Sequence, residues 1–148
     1  QNIGAGELKR AKKTMTTGLM IALGISALVF LIVEIFPREL LTLFTSETDV
    51  VETGITFLRL AASEYMIVTP VFCMNGLAIG AGYTNVALLN AISSSIIIRV
   101  PLAYLLVRVF DLGFNGIGIA MGFAPIVSLF IGIIFVQSGK WKKAKIRL

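Results

Sequence analysis

The chain has 148 residues, of which 57% are hydrophobic and 14% are charged, and its mean hydropathy is +0.92. A soluble domain usually carries about 25% charged residues, so this composition excludes an ordinary water-soluble domain and indicates a membrane protein. The formal net charge of +5 comes mainly from basic residues near the two ends, without interleaved aromatic residues, so we expect membrane topology to explain it and no nucleic-acid partner.

Four long apolar stretches follow one another along the chain and predict four transmembrane helices. A helix needs about 20 residues to span the hydrocarbon core of a bilayer, and each stretch reaches that length. The sequence lacks the alternating pattern of a barrel strand, and a backbone in lipid must satisfy its own hydrogen bonds, which leaves a helix. We therefore predict an all-α, polytopic membrane protein, with helices at about 15–36, 49–82, 86–109 and 114–137 and a basic tail at 138–148.

The connection between the first and second predicted helices carries several local signals. Pro37 is expected to end the first helix, because proline lacks the backbone N–H that a helix interior needs. The apolar residues at 40–44 predict a short segment along the outer membrane interface. Ser46 with Asp49 three residues later resembles a capping box, so we expect Ser46 to cap the second helix.

Charge placement predicts the orientation of the four helices in the cell membrane. Basic residues precede the first helix and follow the fourth, whereas acidic residues dominate the connection between the first and second helices. Membrane proteins keep lysine and arginine on the cytoplasmic side, so both ends are expected there, and an even number of crossings requires the same. We interpret Trp141, within the basic tail, as an interfacial anchor.

Polar residues inside the second and third predicted helices mark the candidate functional site. Lipid does not accommodate such groups cheaply, and in membrane proteins they often line substrate or ion pathways. On the third helix, Ala91, Ser95 and Arg99 recur at four-residue spacing and therefore share one face. The candidates for a substrate or ion pathway are Glu64, Asn75, Asn90, Ser95 and Arg99.

Glu64 and Arg99 are predicted to form an ion pair. Counted inward from the outer ends of their helices at ~1.5 Å per residue, Glu64 lies about 10 Å deep and Arg99 about 15 Å deep. Pairing lowers the cost of an isolated charge at the bilayer centre, which is roughly 2.5–3.5 kcal/mol on insertion scales. Two roles stay open: the pair fixes helix packing, or Glu64 changes protonation or partner during transport. Arg59, nearer the interface, is expected to snorkel to the headgroups.

Proline and glycine predict where the helices bend and where they approach each other. Pro70, Pro101 and Pro125 each remove a backbone donor inside a predicted helix, and such breaks are common in transporters that move, although static bundles contain them too. These three prolines are the hinge candidates. Gly118 and Gly122 have the small-residue spacing that favours close helix packing.

Little in the sequence points to catalysis or to a metal. The chain has one cysteine, Cys73, and no histidine, so we predict no metal site and no internal disulfide. There is no serine or cysteine near a histidine and no phosphate-binding loop, so we expect neither an enzyme nor a cofactor.

Four stretches in register resemble the multidrug and toxic compound extrusion family. The opening run QNIGAGELKRAKK is similar to the family's cytoplasmic loop motif, and the resemblance covers essentially the whole chain. The other three stretches are LTLFT at 41–45 with the residues that follow, NG at 75–76 with GAGYT at 80–84, and RVPLAY at 99–104.

The resemblance implies a twelve-helix, two-lobe transporter of which this chain is the last four helices. The implied partners are the missing first lobe, the first two helices of the second lobe, the lipid bilayer and small-molecule substrates. The implied activity is export of cationic or amphipathic compounds in exchange for Na⁺ or H⁺ by alternating access. Some members hold a cation with an acidic residue in the later half of the second helix, where residues 70–82 of this chain have no carboxylate.

Two other functions stay open from the sequence. A flippase for lipid-linked saccharides would share this architecture, and a large basic central cavity in the missing helices would distinguish it. A membrane scaffold that transports nothing would confine its polar residues to contacts between helices.

Overall fold

The computed structural model describes residues 1–143, and every regular element in that range is helical. It confirms the all-α prediction, because four of its helical segments are long and apolar enough to cross a membrane. The five final residues of the predicted basic tail, 144–148, lie outside the described residues. The four candidate spans are Leu8–Ile35, Thr48–Gly80, Thr84–Arg108 and Gly113–Gln137.

The first span is helix α1, Leu8–Ile35, which begins well before the predicted start near residue 15. Lysine and arginine favour helix formation, so the basic turn at the start of α1 continues the helix beyond the apolar stretch. Pro37 follows as the first residue of a short helix α2, Pro37–Thr42, where its missing N–H costs nothing. Arg38 of α2 forms an ion pair with Glu52, which ties α2 to the next span.

The second span is helix α3, Thr48–Gly80, and its beginning corrects the predicted capping box. Glu47 is the residue at the N-cap, and no side chain makes a capping hydrogen bond there. Instead, Oγ1 of Thr45 accepts the backbone N–H of Glu47 at 3.2 Å. At the other end, Gly82 takes a φ of +81°, a left-handed conformation that glycine adopts without strain, and the chain turns directly into the third span.

The third span was predicted as one regular helix, but it is built from three segments. Helix α4 covers Thr84–Ile92, a π-helix covers Ser93–Ile98, and helix α5 covers Arg99–Arg108. In the π-helix the backbone N–H of Arg99 reaches back five residues to the carbonyl of Ser94. A π-helix is rare and is frequently found at functional sites.

Helix α6, Gly113–Gln137, is the most deeply packed element. Its small residues let α3 approach closely: a Cβ added at Gly122 would lie 2.5 Å from Oγ of Ser63, and one added at Gly118 would lie 3.0 Å from Cβ of Leu60. The close packing predicted for these two glycines is therefore confirmed.

The start of α1 and the turn that follows α6 meet at one end of the bundle. Ala11 of α1 and Trp141, within a 3₁₀ turn at Lys140–Lys142, belong to one buried cluster with residues of α3 and α6. Trp141 is 4% exposed and its indole N–H donates to the carbonyl of Val136 at 3.1 Å. The prediction of Trp141 as an interfacial anchor is therefore wrong, because its ring packs against the protein.

Candidate functional site

A polar cavity of about 240 Å³ lies between α3, the third span and α6. Helix α3 contributes two of the predicted pathway residues, and the third span contributes the other three. The structure thus brings together all five: Glu64, Asn75, Asn90, Ser95 and Arg99.

Glu64 and Arg99 form the predicted ion pair across this cavity. Their side chains are 16% and 31% exposed, so the pair is largely removed from the surface of the four-span bundle. Arg99 donates through one terminal nitrogen, whereas its buried Nε finds no hydrogen-bond partner among residues 1–143. Glu64 is therefore neutralised by a guanidinium that still has a free donor.

Arg59 and Glu34 form a second ion pair away from the cavity. Nε of Arg59 lies 3.4 Å from a carboxylate oxygen of Glu34, and an Arg59 terminal nitrogen donates to the Glu34 carbonyl at 2.9 Å. The Arg59 side chain is 47% exposed, so it binds a neighbouring helix while one side stays open, instead of only snorkelling as predicted. This pair joins α1 to α3.

Two asparagines form the inner part of the cavity wall. Nδ2 of Asn90 donates to Oδ1 of Asn75 at 2.6 Å, and Oγ of Ser128 donates to the backbone carbonyl of Asn90 at 2.8 Å. Asn90 is 1% exposed, yet its Oδ1 has no hydrogen-bond partner among the described residues. Buried polar atoms are nearly always paired, so this oxygen is an acceptor that the described residues leave unsatisfied.

The π-helix shapes the wall that carries Ser95 and Arg99. Ser94 and Ser95, both in the π-helix, line the cavity together with Ala91 before it and Arg99 after it. The π-helix therefore contributes two hydroxyl groups to the wall.

The three hinge candidates differ in their position relative to the cavity. Pro125 is buried in α6 and lines the cavity, whereas Pro70 in α3 and Pro101 in α5 do not line it. Pro101 lies just after the π-helix and has no N–H, so it cannot pair with the carbonyl of Ile97 as a helix residue would. Whether any of the three moves remains a prediction.

Sequence reasoning missed Ser128, which is 2% exposed and joins α6 to the site. The available signal was a single hydroxyl in the later half of an otherwise apolar helix. Such a residue needs a partner in lipid. Ser128 therefore belongs to the cavity wall together with Asn90.

The donor set of the cavity consists of one carboxylate and neutral oxygens. No group of three or more histidine, cysteine or acidic residues that could hold a metal ion occurs among residues 1–143. A carboxylate with amide and hydroxyl oxygens suits a proton or a weakly held monovalent cation better than a transition metal. In this structure the carboxylate is paired with the Arg99 guanidinium.

Comparisons with known proteins agree on one family. Residues 1–105 match the family model described as MatE. The Thermotoga maritima protein named Probable multidrug resistance protein NorM is 26% identical over 140 residues, which cover 95% of this chain and 30% of that protein. The Bacillus subtilis protein named Probable multidrug resistance protein YpnP is 29% identical over 147 residues, which cover 99% of this chain and 32% of that protein.

This chain spans about a third of the length of these two relatives. No solved structure matches the chain.

Proposed function

Because the chain belongs to the MatE family of multi-pass membrane proteins, we propose that it is part of a transporter that exports cationic or amphipathic compounds in exchange for Na⁺ or H⁺. The multidrug-resistance names of both relatives support drugs and other toxic compounds as the exported class. A transporter needs no catalytic residue, and the proposed activity is not enzymatic.

The polar cavity is the observation that carries this proposal. A charged residue at membrane depth is costly and is retained where it serves an ion or substrate pathway. A static scaffold would confine its polar groups to contacts between helices, whereas two residues that line this cavity, Asn90 and Arg99, each keep a buried side-chain atom that is unpaired among residues 1–143. We propose that Glu64 carries the coupling ion whenever Arg99 releases it.

The proposal includes a larger assembly around these helices. Alternating access requires two bodies that rock around a site between them, and four spans supply part of one body. Helix α1 exposes many large apolar side chains, which suits contact with lipid or with further helices. We propose that the remaining partners are a first lobe and the first two helices of the second lobe, with both ends of this chain in the cytoplasm and the three prolines as hinges.

Transport in sealed vesicles tests this function. The full-length protein is expected to expel a fluorescent lipophilic cation when a proton or sodium gradient is imposed, and collapsing both gradients should stop the export. Exchange of one inward proton for one outward monovalent cation moves no net charge, so each unit of pH difference supplies roughly 1.4 kcal/mol, enough for about a tenfold gradient of the cation.

Two variants make the vesicle assay specific for the cavity. Glu64→Gln should abolish gradient-driven export, whereas Arg59→Gln, which removes the arginine paired with Glu34 outside the cavity, should retain most of it. A full-length protein that ignores both gradients across a broad panel of cations would contradict the proposal and favour a lipid-linked saccharide flippase or a scaffold.

A further inference from the structure

We propose that the exposed face of α1 binds one phospholipid with an anionic headgroup, whose phosphate lies in a basic groove at the start of the helix and whose acyl chain runs along the apolar part of the same face. This inference goes beyond the proposed transport function and does not depend on it. The partner is a membrane lipid, and the chemistry that recognises it is a phosphodiester joined to a long apolar chain.

The groove has a volume of about 440 Å³ and lies along the first turns of α1. It is lined by two basic residues, two threonines and a glycine: Arg10, Lys13, Thr14, Thr17 and Gly18. No acidic residue of the described chain lines it, and neither basic side chain forms an ion pair within residues 1–143. Two cations without a counter-charge favour an anion in this groove.

The two threonine hydroxyls add hydrogen-bond donors to the groove. A threonine inside a helix often donates its hydroxyl to the carbonyl four residues earlier, as Thr16 does to Lys12 at 2.9 Å. Thr14 instead accepts from Nδ2 of Asn2 at 3.2 Å, and Thr17 makes no side-chain hydrogen bond within residues 1–143. Both hydroxyl protons are therefore free to donate to phosphate oxygens, which accept strong, charge-assisted hydrogen bonds.

The groove continues into an apolar stripe on the same face of α1. Ile21, Ile25 and Leu28 are each 60% exposed and follow Thr17 at intervals of three or four residues, so they share its face. Arg10 lies two turns before Thr17 on this face as well. The opposite face of α1 packs against α3. One side of a single helix therefore presents a basic, hydroxyl-bearing end and an apolar remainder.

The lengths of the lipid and of this face agree. One leaflet contributes about 15 Å of hydrocarbon, half of the ~30 Å core of a bilayer. Ten residues of an α-helix rise by the same distance of about 15 Å, which corresponds to the segment from Gly18 to Leu28. A headgroup held in the groove therefore places its acyl chain alongside the apolar stripe.

A further helix of the full-length protein is the other candidate to cover this face. Contacts between transmembrane helices favour small residues that let the backbones approach, whereas the stripe consists of large, branched side chains. A helix would also have to bring a carboxylate to Arg10 and Lys13, which lie where the apolar stretch ends and the headgroups begin. An anionic phospholipid supplies the charge and the apolar chain in one molecule.

Native mass spectrometry of the purified, delipidated full-length protein in detergent tests the proposal. The probes are dioleoylphosphatidylglycerol and dioleoylphosphatidylcholine, which share their acyl chains and differ in headgroup charge. A basic residue beside an anionic lipid contributes roughly fivefold in affinity. Arg10→Gln combined with Lys13→Gln should therefore weaken phosphatidylglycerol binding by about 10- to 30-fold and leave phosphatidylcholine binding unchanged.

Matched variants locate the effect in the groove. Lys9→Gln combined with Lys12→Gln removes the same charge from the same turns of α1, at positions that do not line the groove, and should weaken binding by less than about threefold. Thr17→Val keeps every charge, removes one donor and should weaken binding by a few-fold. A phosphatidylglycerol with a photoreactive group in the middle of its acyl chain should label α1 between Gly18 and Leu28.

Equal binding of the two lipids would overturn the proposal, and so would equal losses in the groove variant and its matched control. Labelling outside α1 would overturn it as well, and is the result expected if a further helix covers this face. Glycerol phosphate that competes at the concentration of the lipid would identify a free phosphate ester as the ligand instead. None of these measurements uses an ion gradient, so failure of this proposal and failure of the transport function are distinguishable.

Discussion

At the scale of single residues, the environment of an ion pair decides what it contributes. Arg38 and Glu52 are 53% and 54% exposed, and pairs as open as this one contribute about 0–1 kcal/mol. Glu64 and Arg99 are 16% and 31% exposed and lie within a helical bundle, so removing one partner leaves the other poorly solvated. The two pairs thus provide an internal comparison between surface and cavity.

A double-mutant cycle measures this difference. Glu64→Gln and Arg99→Gln should show a coupling of about 1–3 kcal/mol in detergent-based unfolding of the full-length protein, because the cycle isolates the direct interaction. The same cycle on Arg38 and Glu52 should give under about 1 kcal/mol. The exchange Glu64→Arg with Arg99→Glu should recover part of the folded yield, and purely additive losses at the cavity pair would contradict the coupling.

At the scale of elements, the third span is divided by its π-helix. The widened turn at Ser93–Ile98 lies between Asn90, held by Asn75 and Ser128, and Arg99, held by Glu64. Helices α4 and α5, on either side of the π-helix, both bind neighbouring helices. The irregular turn therefore sets the rotation of Arg99 relative to Asn90 about the helix axis. This is the element through which movement of α5 would reach the cavity.

Deleting Ser94 tests that role. The deletion removes the extra residue that the π-turn accommodates, so a regular α-turn should replace it with Arg99 near its present rotation relative to Asn90 and the Glu64 pair retained. The irregular turn that lets α5 shift is then lost, and gradient-driven export should fall at least about tenfold. The protein should still insert and elute as a single species. Ser94→Ala keeps the chain length and should retain most of the export, and equal loss in both variants would show that the hydroxyl, not the turn, matters.

At the scale of the whole molecule, the four spans bring the start of α1 and the turn after α6 to one side. Ala11 near the start and Trp141 near the end share one buried cluster with α3 and α6. The opposite end of the bundle carries α2 and the start of α3, where Arg38 meets Glu52. The fold thus separates a basic end from an end of mixed charge, and the positive-inside rule predicts which of them is cytoplasmic.

Site-directed labelling checks this orientation. Single cysteines at Thr48 and Ser138, in a Cys73→Ala background, should react with a membrane-impermeant maleimide from opposite sides of the membrane, Thr48 from outside and Ser138 from the cytoplasm. Thr48 begins α3 and Ser138 follows α6, so they lie at opposite ends of the bundle. Labelling of both positions from the same side would overturn the topology.

Much of the local structure was predictable because a lipid solvent imposes a local rule. An apolar stretch of sufficient length must form a helix, so the four spans could be predicted without knowledge of their neighbours. The same rule singles out polar residues inside the spans, and Glu64, Asn75, Asn90, Ser95 and Arg99 could all be named as candidates. The estimated membrane depths of Glu64 and Arg99 are similar, so the contact between these two residues could be predicted as well.

Predictions that relied on a weaker local signal did worse. Ser46 and Asp49 have the spacing of a capping box, but the backbone takes Glu47 as the N-cap and pairs it with Thr45. Trp141 has the composition of an interfacial anchor, but it packs into a cluster supplied by α1, α3 and α6. In both cases the contacts that the residue makes in the structure could not be predicted from the neighbouring sequence alone.

The sequence by itself thus determined the membrane class, the number of spans and the polar positions, because hydrophobicity and length act within a single segment. Only the tertiary structure decided that these positions surround one cavity and that Ser128 and Pro125 complete its wall. That depends on how closely α6 approaches α3, which glycines such as Gly122 permit through contacts far apart in the chain. The π-helix was likewise decided by the tertiary structure, because the residues on either side of it, Asn90 and Arg99, are held by partners on other helices.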